Sequence, residues 1–161
     1  MNKTNLKLLA DWLILNNDRL KEEHSFHMAH FRGNLDTGGD VTPLLSSSSS
    51  CGTVGCALGW GPNTGIPALV PLHLGKGFDW TTYSGDIFDL REGGEEWDWC
   101  FDGEWSGFDN TPKGAGIRIL YLLLGHVPDN WWDDHAVVVP KYTEWYDNLI
   151  KEAVHNGNIT L

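Results

Sequence analysis

The stretch "DNTPKGAGIRILYLLLGHVP", residues 109–128, decides the fold. Thr111 is a good helix N-cap, and Pro112 follows at the first helical position, where its missing N–H costs nothing. Ala115, Ile119, Leu122 and Leu123 recur as one apolar stripe, broadened by Ile117, Leu120 and Leu124. Gly125 suits the left-handed position after a helix, and Pro128 lies just beyond it. A helix that is apolar on nearly every side belongs in a domain interior. The spacing therefore predicts a central, mostly buried helix, and the rest of the chain must cover it.

Upstream, residues 4–16 place Leu6, Leu9 and Leu13 on one helical face, with Trp12 beside them and Lys7 and Asp11 outside. "NND" at 16–18 breaks or re-caps that helix before "RLKEE". "HSFHMAHFRG", 24–33, alternates and reads as a short extended segment. Residues 33–50 are rich in Gly, Ser, Asp and Thr and read as an exposed flexible loop. Pro62 is read as the end of any helix begun before it. Residues 79–90 suggest a short helix turning Trp80, Tyr83 and Ile87 inward, weakened by Gly85. "WDWCFDGEW", 97–105, fits a helix through Trp97, Phe101 and Trp105, and equally a strand through its alternation. "AVVVP", 136–140, reads as a short strand. Residues 141–155 predict a last helix, with Trp145, Leu149 and Ala153 on one face and Tyr146, Ile150 and Val154 beside them.

These elements predict a mainly α fold over residues 1–161. It is a single compact domain with irregular Gly-rich connections and room for a small β element. Nineteen Gly and nine Trp in 161 residues fit many turns around large aromatic core pieces.

Charge narrows the function classes. Eleven basic against 22 acidic residues give a formal net charge of −11. Repulsion from phosphate makes direct binding of nucleic acid a poor default. Solubility is the plain reading of such acidity, and a basic protein partner is the sharper one. Three cysteines exclude a complete disulfide framework. No uninterrupted apolar run approaches the ~18 residues of a membrane span, and nothing at the start resembles a signal peptide. A reduced, cytoplasmic protein is expected, with no membrane and no cofactor.

Four motifs now stand together: "FHMAHFR" (26–32), "CGTVGCALGW" (51–60), "WDWCFDGEW" (97–105) and the helix of 109–128. Their combination resembles a group of small, uncharacterised proteins of bacteriophages and prophages. The resemblance spans the middle two-thirds of the chain. It implies a virus-encoded protein acting in the bacterial cytoplasm and carries over no catalytic residue. The serine run and the closely spaced His24, His27 and His30 lie outside that pattern.

The candidate chemistry is limited. Cys51, Cys56 and Cys100 could ligate zinc if His73, His126 or His135 supplied the fourth ligand. The first two could also form a thiol–histidine pair with His73 or His126. Against both stand Gly52, Thr53, Gly55, Ala57 and Gly59, which read as a close-packed helix start capped by Thr53. Cys56 would then be a small buried filler, with no metal site. His24, His27 and His30 spread over ~120° on a helix and onto both faces of a strand, so they read as surface residues. The carboxylate pairs Glu95/Glu96, Asp102/Glu104 and Asp133/Asp134 read as solvated surface.

"PDNWWDDHA", 128–136, holds the candidate partner-binding residues Trp131, Trp132, Asp133 and Asp134. Adjacent tryptophans do not easily share one buried direction, and an exposed one with an acidic rim is an interface anchor. The plainer alternative folds both back over the core as a loop lid. The expectation is a non-enzymatic protein that binds a host protein, one with a basic surface, and alters its activity. The alternative is a small thiol or metal-dependent enzyme using the cysteine box.

Overall fold

The computed structural model describes residues 1–26, 32–34, 53–66, 80–102, 109–127, 129, 131 and 144–151. The fold is mainly helical. Helices α1 (Lys3–Leu15) and α2 (Asn17–Glu22) open the chain. A 3-10 helix covers Leu58–Thr64, followed by α3 (Trp80–Phe88), α4 (Glu95–Phe101) and α5 (Pro112–Leu123). Residues 144–151 form a further helix, α6. Strands β1 (Arg32–Asn34) and β2 (Thr53–Gly55) pair antiparallel, with Arg32 opposite Gly55 and Asn34 opposite Thr53.

Local chemistry sets the helix ends. The Asn2 side chain caps α1 by accepting from the Asn5 N–H at 3.2 Å. At Asn16 the side-chain amide donates to the Trp12 carbonyl at 2.8 Å. This closes α1, and α2 starts at the next residue. Thr111 caps α5, its hydroxyl accepting from Gly114 N–H at 3.0 Å, with Pro112 in the first turn. At the other end the Gly125 N–H reaches the Leu122 carbonyl and the His126 N–H the Tyr121 carbonyl. With Gly125 at φ +72° this is a Schellman ending.

The helix of 109–128 is central, as its spacing predicts, and it lies against α1. The Lys113 N–H donates to Asn17 Oδ1 at 3.1 Å, and Gly116 faces Ala10 and Ile14, so the two helices run antiparallel. A Cβ on Gly116 would come within 2.7 Å of Ile14 Cγ1 and 2.8 Å of the Ala10 carbonyl. Only glycine permits that approach. Burial in α5 consequently runs from Pro112 to Ile119 and includes Arg118. Leu122 and Leu123, expected in the core, pack on its edge half-buried, and Leu124 is 56% exposed. Burial follows the backbone approach that small residues allow, not side-chain size.

One apolar cluster unites the elements. It joins Leu6, Leu9 and Leu13 of α1 to Trp60, to Tyr83, Ile87 and Phe88 of α3, to Trp97, Trp99 and Phe101 of α4, and to Ile117 and Ile119. The inward turn of Trp80, Tyr83 and Ile87 agrees with the sequence, and "WDWCF" resolves as a helix. Buried polar atoms tie the layers together. The Trp97 indole donates to Ser84 Oγ at 3.0 Å, and that hydroxyl donates to the Leu90 carbonyl at 2.8 Å.

"CGTVGCALGW" folds differently from the helix start expected of it. Thr53–Gly55 is a strand, so Thr53 caps nothing, and the 3-10 helix begins only at Leu58. Pro62 lies inside that helix instead of ending an earlier one. Extended pairing with β1 takes up the residues that local propensity offered to a helix. Of the loop expected at 33–50, residues 35–50 fall outside the described residues, as does the strand expected at 136–140.

Candidate functional site

The most unusual interior residue is Arg118, on the second turn of α5 and 0% exposed. Its Nη1 donates to Asn110 Oδ1 at 3.0 Å and to the Asp109 carbonyl at 3.3 Å. Its Nη2 points to the Cys100 carbonyl at 3.5 Å, in the last turn of α4. The guanidinium thus joins the turn before α5 to the C-terminal end of α4, where carbonyl oxygens carry partial negative charge. The Trp99 indole adds a return bond to the Arg118 carbonyl at 2.8 Å. Sequence reasoning passed over this residue, although its signal was present. Arg118 is the only charged residue between Gly114 and Gly125.

The thiols are packing groups. Cys56 is 1% exposed and Cys100 is 0% exposed. Burial pushes the Cys100 thiol from 9.0 up to about 12, with Arg118 opposing the shift in part. A thiol held neutral is a poor nucleophile at neutral pH. Among the described residues no three His, Cys, Asp or Glu side chains gather as a metal site. Cys51, His73 and His135 lie outside the described residues. His126 is exposed at the end of α5, and His24 is exposed with a left-handed backbone at φ 50°. His27 and His30 fall outside the described residues.

Of the two tryptophans considered as an interface anchor, Trp131 lies inward. Trp131 is 5% exposed and packs edge-on against Trp99, with centroids 5.6 Å apart at 75°. It therefore belongs to the core. Trp132, Asp133 and Asp134 lie outside the described residues. Trp99 in turn stacks on Tyr121 at 6.2 Å, and Tyr121 meets Trp145 edge-on at 5.0 Å. His126 closes a triangle with these two, 5.4 Å from Tyr121 and 5.9 Å from Trp145. The aromatic ladder runs from a buried Trp131 to a half-buried Trp145, with exposed Leu124 and Leu149 (56% and 42%) beside its outer end. On the other flank of α6, a groove of about 530 Å³ is lined by Ile14, Asn17, Lys113, Tyr146, Asp147 and Ile150, among others.

Acidic charge concentrates on α3, α4 and their connection. Between Trp80 and Asp102 stand seven carboxylates and a single basic residue, Arg91. None of the seven is buried. The Asp98 carboxyl sits above its ordinary range, because partial burial and the neighbouring charges of Asp102 and Glu92 all disfavour its ionised form. Glu95 and Glu96 occupy the exposed first turn of α4, where the helix dipole favours them.

The chain matches no family model, no curated protein sequence and no solved structure. Among the described residues no helix is long and apolar enough to cross a membrane.

Proposed function

We propose that the chain is a phage-encoded acidic protein that binds a host protein through that protein's basic surface and modulates it, in host takeover or counter-defence. The observation that carries the binding reading is the charge from Trp80 to Asp102, across α3, α4 and the residues around them: seven carboxylates against Arg91, with Asp89 paired to the Met1 amine. The Asp98 carboxyl is raised first by its partial burial and then by the neighbouring charges of Asp102 and Glu92, which repel its ionised form. A cationic partner relieves that repulsion, and complementary fields speed encounter. The viral origin rests on the motif resemblance. The thiol or metal-dependent alternative gains nothing from Cys56 and Cys100, since both are buried.

Affinity capture from bacterial lysate with mass spectrometry tests the reading. Basic host proteins should be retained at low ionic strength and released as salt shortens the screening length from about 30 Å to about 8 Å. The variant Glu95→Gln, Glu96→Gln, Asp98→Asn should retain less of them. Capture of no basic protein, or capture indifferent to both salt and these three changes, would count against it.

A further inference from the structure

The end of α5 carries Leu120, Tyr121, Leu122 and Leu123, which pack half-buried against the core, and Leu124 follows exposed. An apolar turn of this kind ordinarily lies inside a fold or against a partner. Leu124 is 56% exposed, and on α6 Leu149 is 42% exposed one turn after Trp145. Resting on the partner-binding reading above, we propose that the C-terminal end of α5 and the Trp145 face of α6 are where a cationic amphipathic segment of the partner docks. Its apolar face seats on Leu124, His126, Trp145 and Leu149, and its Lys or Arg residues meet the acids around them.

The surface is built to hold its shape. Trp145, Tyr121 and His126 brace one another at 5.0–5.9 Å, and Tyr121 stands on the Trp99–Trp131 pair beneath. Rings fixed before binding lose little freedom on binding. The Schellman ending fixes the backbone of His126. Aromatic residues held this way, with apolar neighbours, have the make-up of an interface hot spot.

Charge selects the occupant. Glu144, next to Trp145 on α6, and Asp129, three positions after His126, are exposed, whereas Asp147 and Lys151 line the groove on the other flank of α6. α4, bearing Asp98 and Asp102, packs on α5 through Trp99 and Tyr121. A second copy would bring the same acids and another net charge of −11 to the contact. A segment with Lys or Arg flanking apolar anchors brings the complement.

The test uses the whole protein and a synthetic helical peptide of about four turns, ~14 residues, with Leu on one face and Lys on the other. Two control peptides have the same residues scrambled, or Glu in place of Lys. Amide shifts of Gly125 and His126 and the indole N–H of Trp145 report the site. The amphipathic Lys peptide should move these signals and bind about tenfold or more tightly than either control. Leu124→Ser with Leu149→Ser should weaken it by about tenfold or more in a variant that stays folded, since both side chains reach solvent. If the double variant melts early, Leu124→Ser alone, at the more exposed position, repeats the comparison. Undiminished affinity in a folded variant, or shifts confined to α3 and α4, overturns the docking site while leaving acid-driven partner binding intact. No affinity for any cationic peptide at low ionic strength overturns both. A concentration-dependent dimer that the double variant abolishes assigns the surface to a second copy and also overturns the proposal.

Discussion

Arg118 holds three backbone and side-chain oxygens at once from a fully buried position. Removing it takes a donor from the buried Cys100 carbonyl and from the half-buried Asp109 carbonyl and Asn110 Oδ1, and opens a cavity. Arg118→Ala should cost about 3 kcal/mol or more, read from urea denaturation. Arg118→Lys should recover only part of that, since an ammonium cannot span the fork of acceptors. A loss below about 0.5 kcal/mol would place Arg118 among ordinary surface residues. Cys100 makes a prediction in pH. Its thiol titrates near 9.0 when unfolded and near 12 when folded. Between those values the unfolded chain binds fewer protons, so stability is intact below about pH 9 and falls as pH rises, by up to about 1.4 kcal/mol per pH unit. Burial also raises the Tyr83 hydroxyl, which acts in the same direction. Cys100→Ala should flatten the alkaline slope, and the native thiol should resist alkylation at neutral pH. Rapid labelling of Cys100 in the folded protein would contradict its burial.

At the scale of the element, α5 is decided by two glycines and a cap. Gly116→Ala gains up to about 1 kcal/mol of helix propensity. It also drives a methyl into Ile14 and the Ala10 carbonyl, and overpacking of that kind costs about 1–3 kcal/mol. A net loss of stability is expected. Gly114 is tighter still, since a Cβ there would fall 2.2 Å from the Asp109 carbonyl. Gly85 in α3 is the matched contrast, with nothing within 4 Å of its missing Cβ. Gly85→Ala should therefore stabilise by about 0.5–1 kcal/mol. The two halves of α5 should separate in the same way. Ile119→Ala, fully buried, should cost about 2–5 kcal/mol, and half-buried Leu122→Ala about 1 kcal/mol. Equal losses in urea denaturation would mean that α5 is buried along its whole length.

For the molecule as a whole, charge opposes the fold. Among the described residues three ion pairs form, one to the chain's first amine and two along α1 and α2, and none involves α4. Added salt should therefore raise the melting temperature at neutral pH by screening self-repulsion. Asp98 reports the same balance. Its folded carboxyl holds its proton to higher pH than the unfolded one, so its contribution to stability falls as pH climbs above 3.8. Asp98→Asn should stabilise the neutral protein, with the advantage disappearing below that pH. A destabilised Asn variant at pH 7 would mean that the carboxylate has a favourable partner.

The periodic elements were legible from local sequence. Leu6, Leu9 and Leu13 mark α1, Trp80, Tyr83 and Ile87 mark α3, and Thr111, Pro112 and Gly125 bound α5, because helix period, capping and left-handed turns are local chemistry. Tertiary structure alone decided what depends on distant backbone. It drew Thr53–Gly55 into a strand against Arg32–Asn34. It turned Trp131 inward onto Trp99, 32 positions earlier in the chain. It also enclosed Arg118 while leaving Leu124 in solvent. Hydrophobicity states how much a side chain gains from burial. Which side chains are buried depends on how closely two backbones can approach, and at Gly116 that was settled by the absence of a side chain.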